Sequence, residues 1–452
     1  MENQTALRAR FARRLSELYG REVPAYTTLV DVSHEVNRRV LDRDGTAAER
    51  LGSIGRVSAE RHGAIRVGTP RELAQVTRIF GALGMRPAGF YDLRDAYPQP
   101  IPVISTAFRP LDRDELAANP FRVFTSMLVP QDRRFFTPDL QARLTNFLGA
   151  RQLFPDELLV LADRASAYGG LDSVDADRFL DLAAASFALS ADPVDRAWYS
   201  ALERVSGVAA DIGGVTTTHI NHLTPRVLDI DDLYRRMQAR GIAMIDEIQG
   251  PPRWHGPDVL LRQTSFRALA EPRTFRNPDG ALSQGELRVR FGEVEARGIA
   301  LTPAGRALYD DLVAEVDKLL AESPGTPRQE IAARVWAAGL PDTELELAIR
   351  GLAFFTYRPA RGPVPPLDLP TLLREGWLIP EPIVYEDFLP RSAAGIFASN
   401  LGDRGEMDAS QGGAPRDMAW LSAAISCEIV TPEDVYAAQS AASLASFRRT
   451  QE

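Results

Sequence analysis

Of the five histidines in this 452-residue chain, two head segments of similar character. One runs His62-Gly63-Ala64-Ile65-Arg66-Val67 into a helix-like stretch, and the other runs Asn221-His222-Leu223-Thr224-Pro225 into another. A third stretch, Phe291-Gly292-Glu293-Val294-Glu295-Ala296-Arg297, sets two carboxylates in a strand-like run. Two imidazoles and one carboxylate are the ligands of a facial triad, which holds iron(II) and leaves positions open for substrate and oxygen. Strand geometry narrows the choice without completing it. Alternate side chains share a face, so His219 and His222 cannot both address one metal on a regular strand, whereas Glu293 and Glu295 can. The two glutamates also lie among Arg288, Arg290 and Arg297, where a ladder of cross-strand ion pairs is the bland alternative. His34, in a Ser-His-Glu stretch, and His255, in a loop, read as structural.

The elements that must position these groups repeat. Residues 62–67 read as a strand and 71–83 as a helix with Leu73, Val76, Phe80 and Leu83 on one face, followed by strands over 86–93, 101–108 and 122–129. The order returns with a strand over 217–224, a helix over 230–240 and strands over 242–248, 259–269 and 287–297. The expected fold class is α+β, with two βαβββ units forming a curved mixed sheet around a metal site. Around it come helical N-terminal, inserted and C-terminal segments. The expected divisions are N-terminal helices over 1–55, a first unit over 56–130, a helical insertion over 131–215 and a second unit over 216–301. A helical and irregular region over 302–452 closes the site. Thr137-Pro138, Asp192-Pro193, Thr302-Pro303 and Thr326-Pro327 each offer a cap followed by proline, so helices are expected to open there.

Composition excludes several classes. A net charge of −9 argues against a general nucleic-acid binder, which needs a basic face to release counterions. Arg8, Arg10, Arg13 and Arg14 read as a solvated helix face. No apolar run approaches the length of a membrane span, and charges stand where an export signal needs an apolar core, so a cytoplasmic location is expected. The single cysteine, Cys427, cannot form an internal disulfide and reads as packing. There is no glycine-rich phosphate loop, paired CxxC or GxSxG turn.

The segments "HGAIRVGT", "INHLTPRVLDIDDLYRRM", "FGEVEARGIALTPAGRALYD" and, at 387–403, "DFLPRSAAGIFASNLGD" resemble the 2-oxoadipate dioxygenase/decarboxylase family. Its fold is related to the vicinal oxygen chelate proteins. Its metal centre is similar to that of hydroxymandelate synthase and hydroxyphenylpyruvate dioxygenase, whose glutamate lies in an "(F)xE(I)xxR" strand. The resemblance thereby selects Glu293 over Glu295, favours His222 over His219, and implies His62, His222 and Glu293 as ligands of Fe(2+). It also implies that Arg66, four residues after the first histidine, binds a substrate carboxylate, and it places a further contact at Arg391 or Ser392. Gln263, on an inner strand, is a candidate polar contact. The implied reaction takes 2-oxoadipate and O2 to 2-hydroxyglutarate and CO2 in lysine breakdown. The expected partners are a small 2-oxo dicarboxylic acid and O2, without nucleic acid or membrane. The alternatives are an oxygenase of the same fold acting on another 2-oxo acid and a non-catalytic ligand-binding protein. An aromatic substrate would want a stacking pocket where Arg66 offers a cationic clamp.

Overall fold

A computed structural model describes residues 1–96, 99–323, 325–401 and 407–449. Of the segment 387–403 quoted above, Gly402 and Asp403 lie outside the described residues. The chain is mixed α/β, with helices packed around several sheets. The first strand–helix–three-strand order is present as Arg61–Val67, Pro70–Ala82, Arg86–Asp92, Val103–Arg109 and Arg122–Leu128. The helix starts where Thr69 and Glu72 cap each other's backbone and Pro70 presets the first turn. Its Leu73, Val76, Ile79 and Phe80 enter the core. The sheet runs in the order 86–92, 103–109, 122–128, 61–67, 222–225. The His62 strand is therefore central, parallel to 122–128 and antiparallel to His222–Pro225. Strands 103–109 and 122–128 are buried throughout, their Ser, Thr and Arg residues included, because both faces of the sheet are covered.

The second half departs from expectation. Its first strand is only His222–Pro225; ahead of it the Ile220 N–H donates to Phe187 O and the Asn221 N–H to Ala64 O. The helix Ile230–Ala239 forms as expected, capped by Asp229. Residues 242–248 form no strand, and this stretch makes only isolated bridges such as Met244 to Phe266. Strands Leu261–Ser265 and Glu293–Arg297 pair antiparallel. Between them lies an unexpected hairpin, Glu271–Arg276 with Leu282–Leu287, turning through Asn277 to Gly280 at a φ of +84°. The Glu293 strand meets the first sheet where the Val227 N–H donates to Glu295 O at 2.8 Å.

Helices fill residues 138–213, and three further expectations are corrected there and elsewhere. Asp192-Pro193 opens no helix: Val194–Asp195 pairs as a short strand with Phe275 and Arg276, and Asp195 caps the helix Arg196–Glu203. Pro327, not Thr326, caps Arg328–Gly339. Arg8 is not solvated but fully buried, donating to the carbonyls of Leu83 and Asn119 and pairing with Glu115. Arg10 and Arg14 pair with Asp177, on the helix Ser173–Ser186. A second apolar core, centred on Trp336, Phe355 and Leu347, gathers the C-terminal helices against residues 259–261 and 299–301. No helix among the described residues is long and apolar enough to cross a membrane.

Candidate metal centre

His62 and His222 meet because their strands are neighbours. His222 pairs opposite Ala64, two residues from His62 and on the same face. Glu293 arrives from the third strand through Gly292, where a Cβ would stand 2.0 Å from the Phe266 ring; only glycine permits that approach. Ligand atoms of the three side chains lie within 4.8 Å of one another, and all three residues are buried. His62 Nε2 is 3.5 Å from Glu293 Oε1, and His222 Nε2 is 3.5 Å from Oε2, so the carboxylate spans the two imidazoles. The rings are 5.6 Å apart and nearly perpendicular. Phe388 packs edge-on against His62 at 5.0 Å, and Phe291 covers His222 at 5.1 Å. His62 Nε2 has no hydrogen-bond partner among the described residues. A buried polar nitrogen left this way is costly; a divalent ion among the three donors satisfies it, and the donor set suits iron(II).

Glu295 faces the other side of the His62 ring. Its Oε2 stands 3.0 Å from Nδ1, while Oε1 accepts from Arg297 Nε at 2.5 Å. Behind it is a buried ionic cluster in which Arg122 reaches Glu60, Glu295 and Glu386, and Arg226 reaches Glu60. Burial alone would lower the His62 pKa, but Glu295 and Glu293 outweigh it and hold the metal-free imidazole at about 9. Burial, and then the His62 charge and Arg66, keep His222 neutral. Burial pushes Glu293 up, against the pull of His62. Glu295 is held well below the carboxylate range, because Arg297, His62 and Arg122 overcome its desolvation.

Arg66 shares the His62 face and pairs with buried Asp211. Asp211 also accepts from Asn221 Nδ2 at 3.0 Å and lies 3.4 Å from His219 Nε2. His219, ahead of the strand His222–Pro225, therefore belongs to the Arg66 group and not to the triad. Arg151 fixes this group: it clasps Glu72 and donates to the carbonyls of Ile212 and Val215, tying the Asp211 helix to the turn after the His62 strand. Gln263 is buried directly opposite Glu295, on the same sheet face. Arg391 and Ser392 open the helix Pro390–Leu401 and border a cleft of about 1470 Å³ that none of the three triad residues lines. Arg391 pairs there with Asp317 at 2.7 Å, whereas Ser392 is buried. His34 and His255 are exposed, outside the triad. The sequence reading missed Phe388, although it lies in the quoted segment 387–403, and Asp211, Glu60, Arg122 and Glu386, none of which carries a local motif.

Residues 11–400 match the 2-oxoadipate dioxygenase/decarboxylase family. A curated 2-oxoadipate dioxygenase/decarboxylase of Mycobacterium tuberculosis (strain H37Rv) is 56% identical over 434 residues, 95% of each chain. That of Pseudomonas putida (strain KT2440) is 41% identical, over 88% of this chain and 87% of its own. The crystal structure of the hydroxyglutarate synthase from Pseudomonas putida in complex with 2-oxoadipate superposes with a TM-score of 0.83 at 36% identity, covering 99% of this chain and 98% of that one. On this match, which spans all three triad strands and most of the helix at 390–401, the chain belongs to the 2-oxoadipate dioxygenase/decarboxylase family.

Proposed function

We propose that this chain is an iron(II)-dependent oxygenase converting 2-oxoadipate and O2 to 2-hydroxyglutarate and CO2, in the breakdown of lysine. The observation that carries this reading is the buried cluster of His62, His222 and Glu293. Those three side chains would hold the metal; when bound, iron(II) supplies electrons to O2 and a Lewis-acid seat for a 2-oxo acid. The substrate supplies the remaining electrons: it loses its C1 carboxylate as CO2 and the shortened acid gains a hydroxyl, so no other reductant is needed. Arg66 binds the distal carboxylate with its forked donors, and Asp211 sets the plane of the guanidinium. Phe388 and Phe291 exclude water from the reacting face. Gln263 and Ser392 are the neutral polar contacts; Arg391, engaged by Asp317, is a poorer candidate than its neighbour. We read the two strand–helix–strand regions as halves of one curved sheet around the metal, a reading supported by the hydrogen bond from Val227 to Glu295.

The test is O2 uptake by protein purified anaerobically and loaded with iron(II), across 2-oxoadipate, 2-oxoglutarate and an aromatic 2-oxo acid. Turnover with 2-oxoadipate should consume O2 and release CO2 and 2-hydroxyglutarate in equal amounts, without added flavin, nicotinamide or 2-oxoglutarate. A requirement for an organic cofactor would overturn the reading, and glutarate as main product would show that decarboxylation occurs without hydroxylation.

A further inference from the structure

We propose that Glu295 is a positioning residue for the metal centre: its carboxylate takes the Nδ1–H of His62 and so presents the Nε2 lone pair to the ion. The inference rests on the reading of His62, His222 and Glu293 as metal ligands. Three observations carry it. Glu295 Oε2 stands 3.0 Å from His62 Nδ1; the two atoms are not aligned for a hydrogen bond without the metal, but neither has any other hydrogen-bond partner among the described residues. Glu295 and Glu293 approach the same ring from its two nitrogens, Nδ1 and Nε2, which one strand face allows because the two residues are separated by a single position. Arg297 and Arg122 grip the other oxygen, so the carboxylate cannot turn away.

This division of labour is a matter of tautomers. A neutral imidazole has one N–H and one lone pair, and the nitrogen that donates a hydrogen bond leaves the other to ligate. Glu295 has two accepting oxygens, one spent on arginine and one on imidazole. Glutamine has the same shape but a single oxygen. In Glu295→Gln that oxygen faces Arg297 and Arg122, since an amide NH2 cannot face a guanidinium. The NH2 then points at His62 Nδ1, which must accept, and the proton moves to Nε2, where the metal should bind. The substitution therefore does more than weaken a contact; it favours the tautomer that cannot ligate.

The experiment is an equilibrium titration with cobalt(II), read by its visible ligand-field bands, alongside thermal unfolding of each metal-free variant. Glu60→Gln is the control, because Glu60 lies in the same arginine cluster and its ion pairs among the described residues are with Arg122, Arg226 and Arg297, not with His62. Glu295→Gln should bind cobalt(II) about 10- to 100-fold more weakly, with shifted bands, as loss of a carboxylate behind a metal-bound histidine does. Glu60→Gln should lose comparable thermal stability and keep its affinity within about threefold. Equal affinities for Glu295→Gln and the parent, or equal weakening in both variants, would overturn the inference. If His62→Ala binds cobalt(II) as the parent does, the ligand assignment itself has failed. Should Glu295→Gln not fold, histidine-labelled wild-type protein loaded with zinc(II) decides by 15N NMR. Metal on His62 Nε2 with a proton on Nδ1 supports the inference, and metal on Nδ1 overturns it.

Discussion

Removing the Arg66 guanidinium should damage specificity and stability by separable routes. A forked guanidinium–carboxylate contact in a desolvated pocket costs about 2–5 kcal/mol when one partner is deleted. At ~1.4 kcal/mol per factor of ten, Arg66→Met should lower kcat/KM for 2-oxoadipate by roughly 30- to 4000-fold. The same change leaves Asp211 buried beside His219 and Asn221 without its arginine. Breaking a buried pair in this way costs a further ~3–5 kcal/mol of folding stability. Adding Asp211→Asn removes the stranded charge, so the double variant should regain much of the lost stability and none of the lost activity. The assay measures kcat/KM for 2-oxoadipate and for 2-oxohexanoate, which has the same length and no distal carboxylate, together with urea unfolding of each protein. Preference for the dicarboxylate should collapse in both variants. If Arg66→Met keeps the parent's preference, the clamp lies elsewhere and the argument from this arginine to a dicarboxylic substrate is wrong.

Other outcomes follow from the same geometry. His222→Ala should abolish cobalt(II) binding, whereas His219→Ala should hold it within about threefold and act on KM through Asp211; parallel metal titration and kinetics decide. Phe388→Ala strips a ring from His62 and Phe124, costing roughly 3–5 kcal/mol, and should let O2 consumption exceed 2-hydroxyglutarate formed, as paired electrode and product assays would show. Burial alone would raise the Glu386 pKa, but Arg56, Arg122 and Arg297 hold it far below the carboxylate range. A folded pKa below the unfolded one contributes stability in full above ordinary carboxylate titration, and that stability drains as pH falls beneath it. Wild-type Tm should therefore drop more steeply between about pH 5 and 3 than that of Glu386→Gln. Parallel slopes would remove Glu386 from the acid response.

The first strand–helix–three-strand region was readable because its signals are local and agree: a capping box at Thr69 and Glu72, a one-sided helix, and strands apolar enough to be covered on both faces. The second was harder because its polarity is uneven. The stretch 242–248 is apolar enough for a strand yet finds only single bridges, and the hairpin at 271–287 alternates faintly because much of it faces solvent. Asp279-Gly280 was the available turn signal for that hairpin. Strand alternation does not decide between His219 and His222, because His219 lies ahead of the strand His222–Pro225. It could not separate Glu293 from Glu295, since both face His62, one at each nitrogen. Asp211 and Glu386 had no local signature; each takes its place only when segments distant in sequence fold together.

That distance has a temporal side. Arg109 stands on an early strand and its carboxylate partner Asp387 follows 278 residues later, whereas Arg122 has Glu60, made before it, as well as Glu386. At a synthesis rate of roughly 5–20 residues per second, the Arg109 guanidinium waits on the order of 14–56 s for its counter-charge to be made. Burying it sooner would leave a charge unpaired in a low-dielectric interior. The end of the strand that carries Arg109 should therefore stay open to water until Asp387 is made, and a chain cut short before Asp387 would leave that guanidinium without its carboxylate.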